Sequence, residues 1–389
     1  MNILIDARLL TRGHISGIED YARGVINEML SNHTEHNYAF FWSGIKKVDF
    51  PKEWRLPNVS VINWVVPNRM LDIFIRVFEW PKIDAIWPAD IIWSPHFFLL
   101  PKPKSAKRII TFHDLSPEHF PNLYPFRKRV WHWQQNYRAQ MNQADHLIAV
   151  SEFTKKDIVT TFGISEKKVT AIHSGINPFF KHIEKTDSGL RLFQNANNLT
   201  RPYFLFVGTL EPRKNISGII RAFSLFKEKE GCKDFELIIV GKKGWLFNSI
   251  FNEAKQSPFS SDIRFWGEVS YDELRYLYNG AFGFLWPSLF EGFGHPPLEA
   301  QACGVPVIAS NRSSLPEVLQ DSALLTSPQN IEEIVVAMEE LVLHNEVREA
   351  LIARGYENIK RFSWRATSDS LIKVIESIHN ARQSSNKKR

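Results

Sequence analysis

Pro202-Tyr-Phe-Leu-Phe-Val-Gly208 is a short apolar run that ends in glycine, and it begins an alternation of apolar runs and amphipathic stretches from which the fold can be predicted. An amphipathic stretch over 215–229 follows it, and a second apolar run comes at 235–240. This alternation indicates a parallel sheet covered by helices. The same alternation occurs earlier in the chain, with apolar runs at 3–6, 38–42, 91–94, 108–112 and 146–150. The sequence therefore predicts an α/β protein with two doubly wound, Rossmann-like domains that face each other across a cleft.

The predicted domain boundaries follow from where the alternation stops and restarts. Residues 1–185 are predicted to form the first domain and 202–363 the second. The polar stretch 186–201 has few apolar anchors and is predicted to be a linker. A helix over 364–382 follows the second domain, and we expect it to pack back on the first. The basic tail 383–389 is predicted to be disordered.

Composition indicates a globular protein. Hydrophobic residues make up 44% of the 389 residues and charged residues 23%. The two cysteines, Cys232 and Cys303, are far apart and lack metal-ligand spacing, which fits a reducing compartment. The amino terminus lacks the pattern of a signal peptide, and no run of eighteen apolar residues occurs. We therefore expect a cytoplasmic protein.

Positive charge is concentrated in the first half of the chain. Residues 1–185 carry 24 Lys and Arg against 18 Asp and Glu, whereas 186–389 carry 24 of each. A solvated basic face would explain the excess, and so would attraction to anionic lipid at the inner face of a membrane or to a phosphate-bearing acceptor. The aromatic, amphipathic run 69–80 is interpreted as a core helix or, alternatively, as a membrane-interface or acceptor-binding segment. No nucleic-acid partner is expected, since no reading motif accompanies the charge.

The strongest chemical signal is Ser288-Leu-Phe-Glu-Gly-Phe-Gly-His-Pro-Pro-Leu-Glu-Ala300, which joins an apolar run to a predicted helix. Gly292 and Gly294 allow the backbone to approach a ligand closely, and free amides at a helix start bind anions. Glu291 lies on the loop and Glu299 in the predicted first helical turn. Ionised carboxylates suit sugar hydroxyls because each accepts two or more hydrogen bonds. A capped helix with acids matched to its dipole would explain Glu299 alone.

The spacing of Glu291 and Glu299 resembles the E-x-seven-E element of the retaining family 4 glycosyltransferases. That family has two facing Rossmann-like domains, the GT-B type of fold. The resemblance implies that Glu291 contacts the donor sugar near its anomeric centre and that Glu299 holds the ribose of the nucleotide. It also implies that the backbone at Gly292, Phe293 and Gly294 approaches the donor sugar.

Val207-Gly-Thr-Leu-Glu-Pro-Arg-Lys-Asn215 is a second candidate element, again between an apolar run and a predicted helix. Arg213 and Lys214 place two cations there, and paired cations stabilise the charge that develops on a departing nucleoside diphosphate. Taken alone, the string also fits a surface turn in which Asn215 caps a helix. In the family that the sequence resembles, a basic pair at this place binds the donor pyrophosphate. The resemblance also implies that Gly208 contributes to donor binding. No metal and no other cofactor is therefore expected.

Thr111-Phe-His-Asp-Leu115 follows an apolar run of the first domain. A lone buried histidine is usually a satisfied core residue, but this one lies on a loop at the expected ligand-binding edge. The resemblance implies that His113 lies by the donor sugar and helps to stabilise the charged transition state. It also implies that Gly17 lies near the donor phosphates, in a loop that lacks the dinucleotide-binding fingerprint. His113 and Asp114 make a poor metal site without a third ligand.

The strings around Arg213 and His113 are most similar to mannosyltransferases of polysaccharide and O-antigen assembly. The resemblance implies a retaining hexosyltransferase that moves mannose from GDP-mannose to a hydroxyl of a glycan or lipid-linked glycan, with the first domain on the acceptor side. A UDP-hexose is the rival donor. A non-catalytic protein that binds sugar nucleotides is the main alternative class, and an epimerase or a phosphorylase is another.

Overall fold

The computed structural model describes residues 1–12, 17–44, 50–80 and 82–386. Its contacts divide the chain into two compact units. Unit 1 comprises Met1–Leu115, Arg127–Gly175 and Phe362–Arg389, and unit 2 comprises Ser116–Phe126 and Ile176–Arg361.

Each unit is built on one parallel sheet. The strands of unit 1 are β1 (Asn2–Asp6), β2 (Asn37–Ser43), β3 (Val59–Trp64), β4 (Ile91–Ser94), β5 (Lys107–Phe112), β6 (His146–Ala149) and β7 (Val169–Ala171). They pair in the order β3-β2-β1-β4-β5-β6-β7. The strands of unit 2 are β8 (Tyr203–Val207), β9 (Glu236–Val240), β10 (Ile263–Gly267), β11 (Gly283–Trp286), β12 (Val307–Ser310) and β13 (Leu324–Thr326). They pair in the order β10-β9-β8-β11-β12-β13. Both orders reverse beside the unit's first strand, so the prediction of two doubly wound α/β units is confirmed.

Helices connect the strands. In chain order they are α1 (Gly17–Asn32), α2 (Asn68–Phe78), α3 (Ser116–His119), α4 (Phe126–Gln135), α5 (Tyr137–Gln143), α6 (Glu152–Phe162), α7 (Ser188–Ala196), α8 (Ile216–Lys227), α9 (Asn248–Gln256), α10 (Tyr271–Gly280), α11 (His295–Ala302), α12 (Leu315–Leu319), α13 (Ile331–Leu343), α14 (Asn345–Ile359) and α15 (Trp364–Asn386). None of those in the described ranges is long and apolar enough to cross a membrane.

Continuous apolar runs form the central strands because both faces of each sheet are covered. Ile3, Leu4 and Ile5 of β1 are completely buried, and so are Leu237 and Ile238 of β9. A strand with one wet face would alternate apolar and polar residues instead. The patterns that predicted the parallel sheets therefore reflect where the two cores lie.

The predicted linker over 186–201 contains a helix, α7, which is a correction to the sequence analysis. Asp187 accepts a hydrogen bond from the Leu190 amide at 2.9 Å and so caps the helix. Leu190 itself is buried, and this single anchor is easily missed in a polar stretch. The boundary between the units falls after Gly175, ten residues before the predicted end of the first domain at 185.

The chain from Phe126 to Gln143 forms two helices, α4 and α5, which are separated at Asn136. Asn136 adopts a left-handed conformation with φ of 47°, and its side chain caps α5 by accepting from the Ala139 amide. Left-handed backbone is rare outside glycine but is tolerated by asparagine, so the residue ends one helix and starts the next.

The C-terminal helix α15 belongs to unit 1. The ring of Trp364 occupies the space above Gly24, where an added Cβ would lie 2.3 Å from a ring carbon. Farther along, the Thr367 hydroxyl donates to the His173 carbonyl at 2.8 Å. The helix runs four residues beyond the predicted end at 382, so 383–386, predicted to be disordered, are helical. Residues 387–389 of the predicted tail lie outside the described residues.

Candidate functional site

The strand order of unit 2 brings the two main sequence elements together. Strands β8 and β11 are neighbours and run parallel, with Phe204 opposite Gly283. Their carboxyl ends therefore meet at one edge, at the point where the strand order reverses. The loops that follow them are joined by a hydrogen bond of 2.9 Å from the Leu289 amide to the Arg213 carbonyl. In doubly wound sheets this position is the expected ligand site.

Arg213, Lys214 and Glu291 are in direct contact there. Lys214 Nζ donates to Glu291 Oε1 at 2.7 Å, and Arg213 Nη1 donates to Glu291 Oε2 at 2.9 Å. Lys214 Nζ also lies 4.4 Å from the centre of the Trp286 ring. Two cations thus hold both oxygens of one carboxylate.

Arg213 is oriented by two further acceptors. Its Nε and Nη2 donate to Glu211 Oε1 at 3.1 and 2.8 Å, and its Nη1 donates to the Phe290 carbonyl at 2.6 Å. The fork shape of guanidinium permits this simultaneous bonding. Glu211 was not predicted as a site residue, although an acid two residues before a candidate cation is a signal for one. We call Glu211, Arg213, Lys214 and Glu291 the Glu291 cluster.

Burial and charge together set the ionisation of this cluster. Burial alone would raise the pKa of Glu291, but Arg213 and Lys214 outweigh it and hold that pKa at about 2. Burial lowers the pKa of Lys214, as does the neighbouring Arg213, while Glu291 opposes the shift. Glu291 is therefore ionised at neutral pH, although only 6% of the residue is exposed.

A third loop, after β12, fixes the backbone of Glu291. The Ser313 hydroxyl accepts from the Glu291 amide at 2.9 Å, and the Ser314 hydroxyl donates to the Glu291 carbonyl at 3.0 Å. Ser314 also contacts the Phe293 carbonyl at 3.2 Å. These serines follow β12, the neighbour of β11, so topology rather than sequence distance brings them here.

The candidate glycines meet local steric demands. Gly294 has φ of +101°, and an added Cβ would lie 2.8 Å from the Leu315 side chain. A Cβ on Gly208 would lie 3.2 Å from the Trp286 ring. Gly292 is buried in the same loop, and the Phe293 side chain is buried with its ring 5.2 Å from that of His295. Packing therefore accounts for Gly294 without a ligand.

Glu299 lies on the second turn of α11, not on the first turn as predicted, because the helix begins at His295. Its carboxylate accepts a hydrogen bond from the Tyr278 hydroxyl at 2.9 Å. Burial raises the pKa of Tyr278 well above its usual value, and the Glu299 charge raises it further. Tyr278 therefore remains a donor, and it fixes the position of the Glu299 side chain.

His113 lies in unit 1, on the loop after β5. Its Nε2 donates to the Pro95 carbonyl at 2.8 Å, which assigns the proton to that nitrogen. The Tyr21 ring meets the imidazole edge-to-face at 4.9 Å. Burial lowers the pKa of His113 more than the Pro95 hydrogen bond and Asp114 raise it. The imidazole is therefore neutral at neutral pH.

Gly17 is the first residue of α1 and is exposed. The rest of its loop, residues 13–16, lies outside the described residues.

Unit 1 has a buried ionic group at its own point of strand reversal. Arg8 Nε and Nη2 donate to the two Asp6 oxygens at 2.8 and 2.7 Å, and Arg8 Nη2 also donates to the Leu99 carbonyl. His96 Nε2 lies 3.8 Å from Asp6 Oδ2. We call Asp6, Arg8 and His96 the Asp6 cluster. The sequence analysis missed it, although charged residues directly after a buried strand were a usable signal.

Both parts of the chain match known protein families. Residues 15–179 match the model described as Glycosyltransferase Family 4, and residues 190–358 match the one described as Glycosyl transferases group 1.

Similar proteins are known from bacteria. The O-antigen chain mannosyltransferase B of Escherichia coli is 31% identical over 287 residues, which are 74% of this chain and 74% of that protein. The O-antigen chain mannosyltransferase RfbU of Salmonella typhimurium is 29% identical over 230 residues, 59% of each protein. Among solved structures, sucrose-phosphate synthase from Thermosynechococcus elongatus superposes with a TM-score of 0.76 at 18% identity, over 98% of this chain and 99% of that one. At that identity the superposition establishes the fold alone.

Proposed function

The chain belongs to the family 4 glycosyltransferases, and from this premise we propose that it is a retaining mannosyltransferase. The donor is GDP-mannose, and the acceptor is a hydroxyl group of a glycan or a lipid-linked glycan. The names of both bacterial relatives support mannose and O-antigen glycans as substrates. A UDP-hexose is the rival donor, and the first experiment below distinguishes between the two donors.

The Glu291 cluster is the observation that carries this proposal. A nucleoside diphosphate gains negative charge as its bond to the sugar breaks, and fixed cations stabilise that charge without reorganising. Arg213 and Lys214 are already fixed, 2.9 and 2.7 Å from the two Glu291 oxygens, at the nucleotide-binding edge of the sheet. Because this pair supplies positive charge, we propose that transfer needs no metal ion.

Glu291 acts on the donor sugar as a hydrogen-bond acceptor. Each carboxylate oxygen has two acceptor sites, and the cations occupy one on each. A carboxylate with a pKa of about 2 is also a weak nucleophile, which disfavours a covalent intermediate of the kind that retaining glycosidases form. We therefore favour a path in which the acceptor hydroxyl forms its bond on the face that the diphosphate leaves. The hydroxyl proton passes to the departing phosphate oxygen.

His113 acts beside the donor sugar as a neutral group. Its Nε2–H is engaged by the Pro95 carbonyl, so Nδ1 carries the lone pair and accepts a hydrogen bond. An electron-rich nitrogen is suited to an oxocarbenium-like transition state, whereas a protonated imidazole would repel it.

Nucleotide binding is the first test. Because a ligand that binds only the folded state raises the melting temperature, GDP should raise it more than UDP at equal concentration. A larger shift with UDP would overturn the donor assignment but leave the family 4 fold intact. Absence of a shift with either nucleotide would contradict the role of the Glu291 cluster.

Turnover is the second test. Nucleoside diphosphate release from GDP-mannose, measured with glycan acceptors, separates an enzyme from a non-catalytic binding protein. The anomeric configuration of the product, read by NMR, tests retention. Initial rates in EDTA that match those in added magnesium would support metal-independent transfer, and abolished turnover in EDTA would contradict it.

We also propose that the protein works at an anionic lipid surface on the cytoplasmic side of a membrane, through one face of α2. Leu71 and Ile75 bury one side of this helix, but Ile73, Val77 and Phe78 on the other side are each more than 60% exposed. The core-helix interpretation of this segment is therefore only half right. An apolar helix face next to cationic side chains is typical of interfacial helices.

The surroundings of this face favour lipid. An open groove of about 370 Å³ runs beside it and is lined by Trp64, Val65, Phe74 and Trp80 among others. Arg76 lies 4.5 Å from the centre of the exposed Trp133 ring. The helix that carries Trp133, α4, has further exposed cations in its first turn. Those cations are Arg127, Lys128 and Arg129. Tryptophan and arginine together suit the boundary between headgroups and acyl chains.

Vesicle binding tests the surface. The protein should sediment with phosphatidylcholine vesicles that contain phosphatidylglycerol, less at high salt, and hardly with phosphatidylcholine alone. Ile73→Ser and Phe78→Ser should each weaken binding about tenfold or more, since burying such a side chain is worth about 1.5–3 kcal/mol. Leu192→Ser is a matched control, because Leu192 is 69% exposed on unit 2. Equal loss in all three variants would contradict the assignment to α2.

A further inference from the structure

Three side chains with metal-binding atoms converge in unit 1, away from the loops discussed above. Glu35 and His36 lie between α1 and β2, and Glu376 lies on α15. Because all strands of this sheet run parallel, the start of β2 is at the edge opposite the ligand-binding loops. From this cluster we propose that unit 1 binds one divalent transition-metal ion of the Zn²⁺ class, which fastens α15 to the connection between α1 and β2.

The spacing of the three ligand atoms fits such an ion. His36 Nε2 lies 3.6 Å from Glu35 Oε1 and 3.6 Å from Glu376 Oε1. All three atoms lie within 4.8 Å of one another. Bonds of about 2.0–2.1 Å in tetrahedral geometry separate neighbouring ligand atoms by roughly 3.4 Å. Small side-chain movements would therefore complete the geometry.

His36 gives independent support. The residue is only 6% exposed, and neither of its ring nitrogens has a hydrogen-bond partner within the described part of the chain. A buried polar atom without a partner is costly, and most such atoms in folded proteins are satisfied. Nε2 points at two carboxylates, so a cation between them would satisfy all three groups.

His33 and Asp369 add to the same environment. His33 Nε2 lies 2.8 Å from Asp369 Oδ1, so it donates its proton to that carboxylate. His33 Nδ1 lies 3.8 Å from Glu35 Oε1, the same oxygen that faces His36. A carboxylate that orients a histidine in this way is common beside protein-bound zinc.

One imidazole and two carboxylates indicate which class of ion this site would bind. Imidazole together with carboxylates suits Zn²⁺ and its first-row neighbours, whereas Mg²⁺ and Ca²⁺ prefer oxygen ligands alone. The two glutamates balance the double positive charge. Glu35 and Glu376 are 59% and 44% exposed, so the ion can enter from solvent and water can complete its coordination. The site is structural and does not conflict with metal-independent chemistry at the Glu291 cluster.

Zinc binding to the tag-free, chelator-treated full chain tests the proposal. Elemental analysis after dialysis should find one tightly bound Zn²⁺ per chain, and isothermal titration should give its affinity. Glu35→Gln and Glu376→Gln should each weaken that binding at least about tenfold, and zinc should raise their melting temperature less than that of the wild type. Glu230→Gln, at an exposed glutamate of unit 2, should change neither result. Co²⁺ in place of Zn²⁺ should give visible absorption typical of tetrahedral coordination, and this should vanish in Glu376→Gln.

Each contrary result is decisive. Failure of the wild-type chain to bind Zn²⁺ would overturn the proposal, and so would equal binding by the wild type and both glutamate variants, which would assign the zinc to other histidines. Metal-free melting temperatures show whether the variants fold, and both altered side chains are exposed enough for folding to persist. Nucleotide-induced stabilisation, measured in parallel, keeps a failure here separate from a failure of the proposed activity.

Discussion

The two units have buried ionic clusters at equivalent positions, beside the strand where each sheet reverses its order, yet the clusters are built differently. In unit 1, Asp6 and Arg8 are two residues apart in the chain and satisfy each other through two hydrogen bonds. In unit 2, the Glu291 cluster joins side chains 77 and 78 residues apart.

This difference suggests different tasks. Asp6 and Arg8 are 0% and 1% exposed, and Arg8 also donates to the Leu99 carbonyl and lies 3.8 Å from Asp72, so these contacts hold the end of β1 in place. The Glu291 cluster is 7–12% exposed at Glu291, Lys214 and Arg213, so it remains reachable by a ligand. We infer that the first cluster stabilises its unit and that the second serves the donor. Four experiments test this difference between the two clusters.

Asp6→Asn should have the largest effect, on stability. It removes the fully buried carboxylate that accepts both short bonds from Arg8 and leaves only the partly exposed Asp72, 3.8 Å away, as a counter-charge. Breaking a buried pair in this way costs about 3–5 kcal/mol of unfolding free energy. Urea unfolding followed by circular dichroism measures the loss, with Asp234→Asn at an exposed site as control. GDP should still raise the melting temperature of the variant. A stable Asp6→Asn protein that no longer responds to GDP would reverse the roles assigned to the two clusters.

Glu291→Gln should reduce turnover about 10²–10³-fold, equivalent to about 2.7–4 kcal/mol, because it removes a preorganised charge from the site. The rate of GDP release from GDP-mannose measures it. Glu230→Gln is the control, and circular dichroism must show that the variant is folded. Turnover within about twofold of the wild type would exclude a direct role for Glu291 at the sugar.

Replacing arginine by lysine should lower stability in the Asp6 cluster but weaken use of the donor in the Glu291 cluster. Arg8→Lys keeps the charge but loses one of the two hydrogen bonds that the guanidinium donates to Asp6. Loss of a hydrogen bond to a charged group should cost about 1.5–3 kcal/mol of unfolding free energy. Arg213→Lys loses bonds to Glu211 and Phe290 and should chiefly raise the KM for the donor. If Arg213→Lys changed only stability, the Glu291 cluster would be structural like its counterpart.

The smallest expected effect is on the pH dependence of stability. Glu291 has a folded pKa of about 2 against an ordinary value of 4.5, so its ionised form stabilises the fold above pH 4.5. This contribution is lost as the pH falls from 4.5 towards 2, and about 1–2 kcal/mol of it should disappear between pH 5 and pH 3. Urea unfolding at the two pH values should show a smaller loss in Glu291→Gln than in the wild type. Equal losses would mean that Glu291 is not held between two cations.

The sequence was sufficient for features that depend on neighbouring residues or on regular spacing. Continuous apolar runs predicted both parallel sheets, and short motifs located Arg213, Lys214 and Glu291. The remaining contacts could not be predicted because they join residues that are far apart in the sequence. Ser313 and Ser314 reach Glu291 only because β12 lies beside β11, and His36 meets Glu376 only because α15 returns to unit 1. The helix in the predicted linker was missed because one buried leucine anchors it.

The return of α15 has a consequence for how the chain is made. A ribosome completes every segment of unit 2 before it adds Phe362, which begins the final segment of unit 1. Until then the chain lacks Trp364, whose ring fills the space that Gly24 and Gly175 leave in the folded protein. The unit whose synthesis begins first is therefore completed last, and a chain that ends near residue 361 would contain every segment of unit 2 but would lack the final segment of unit 1.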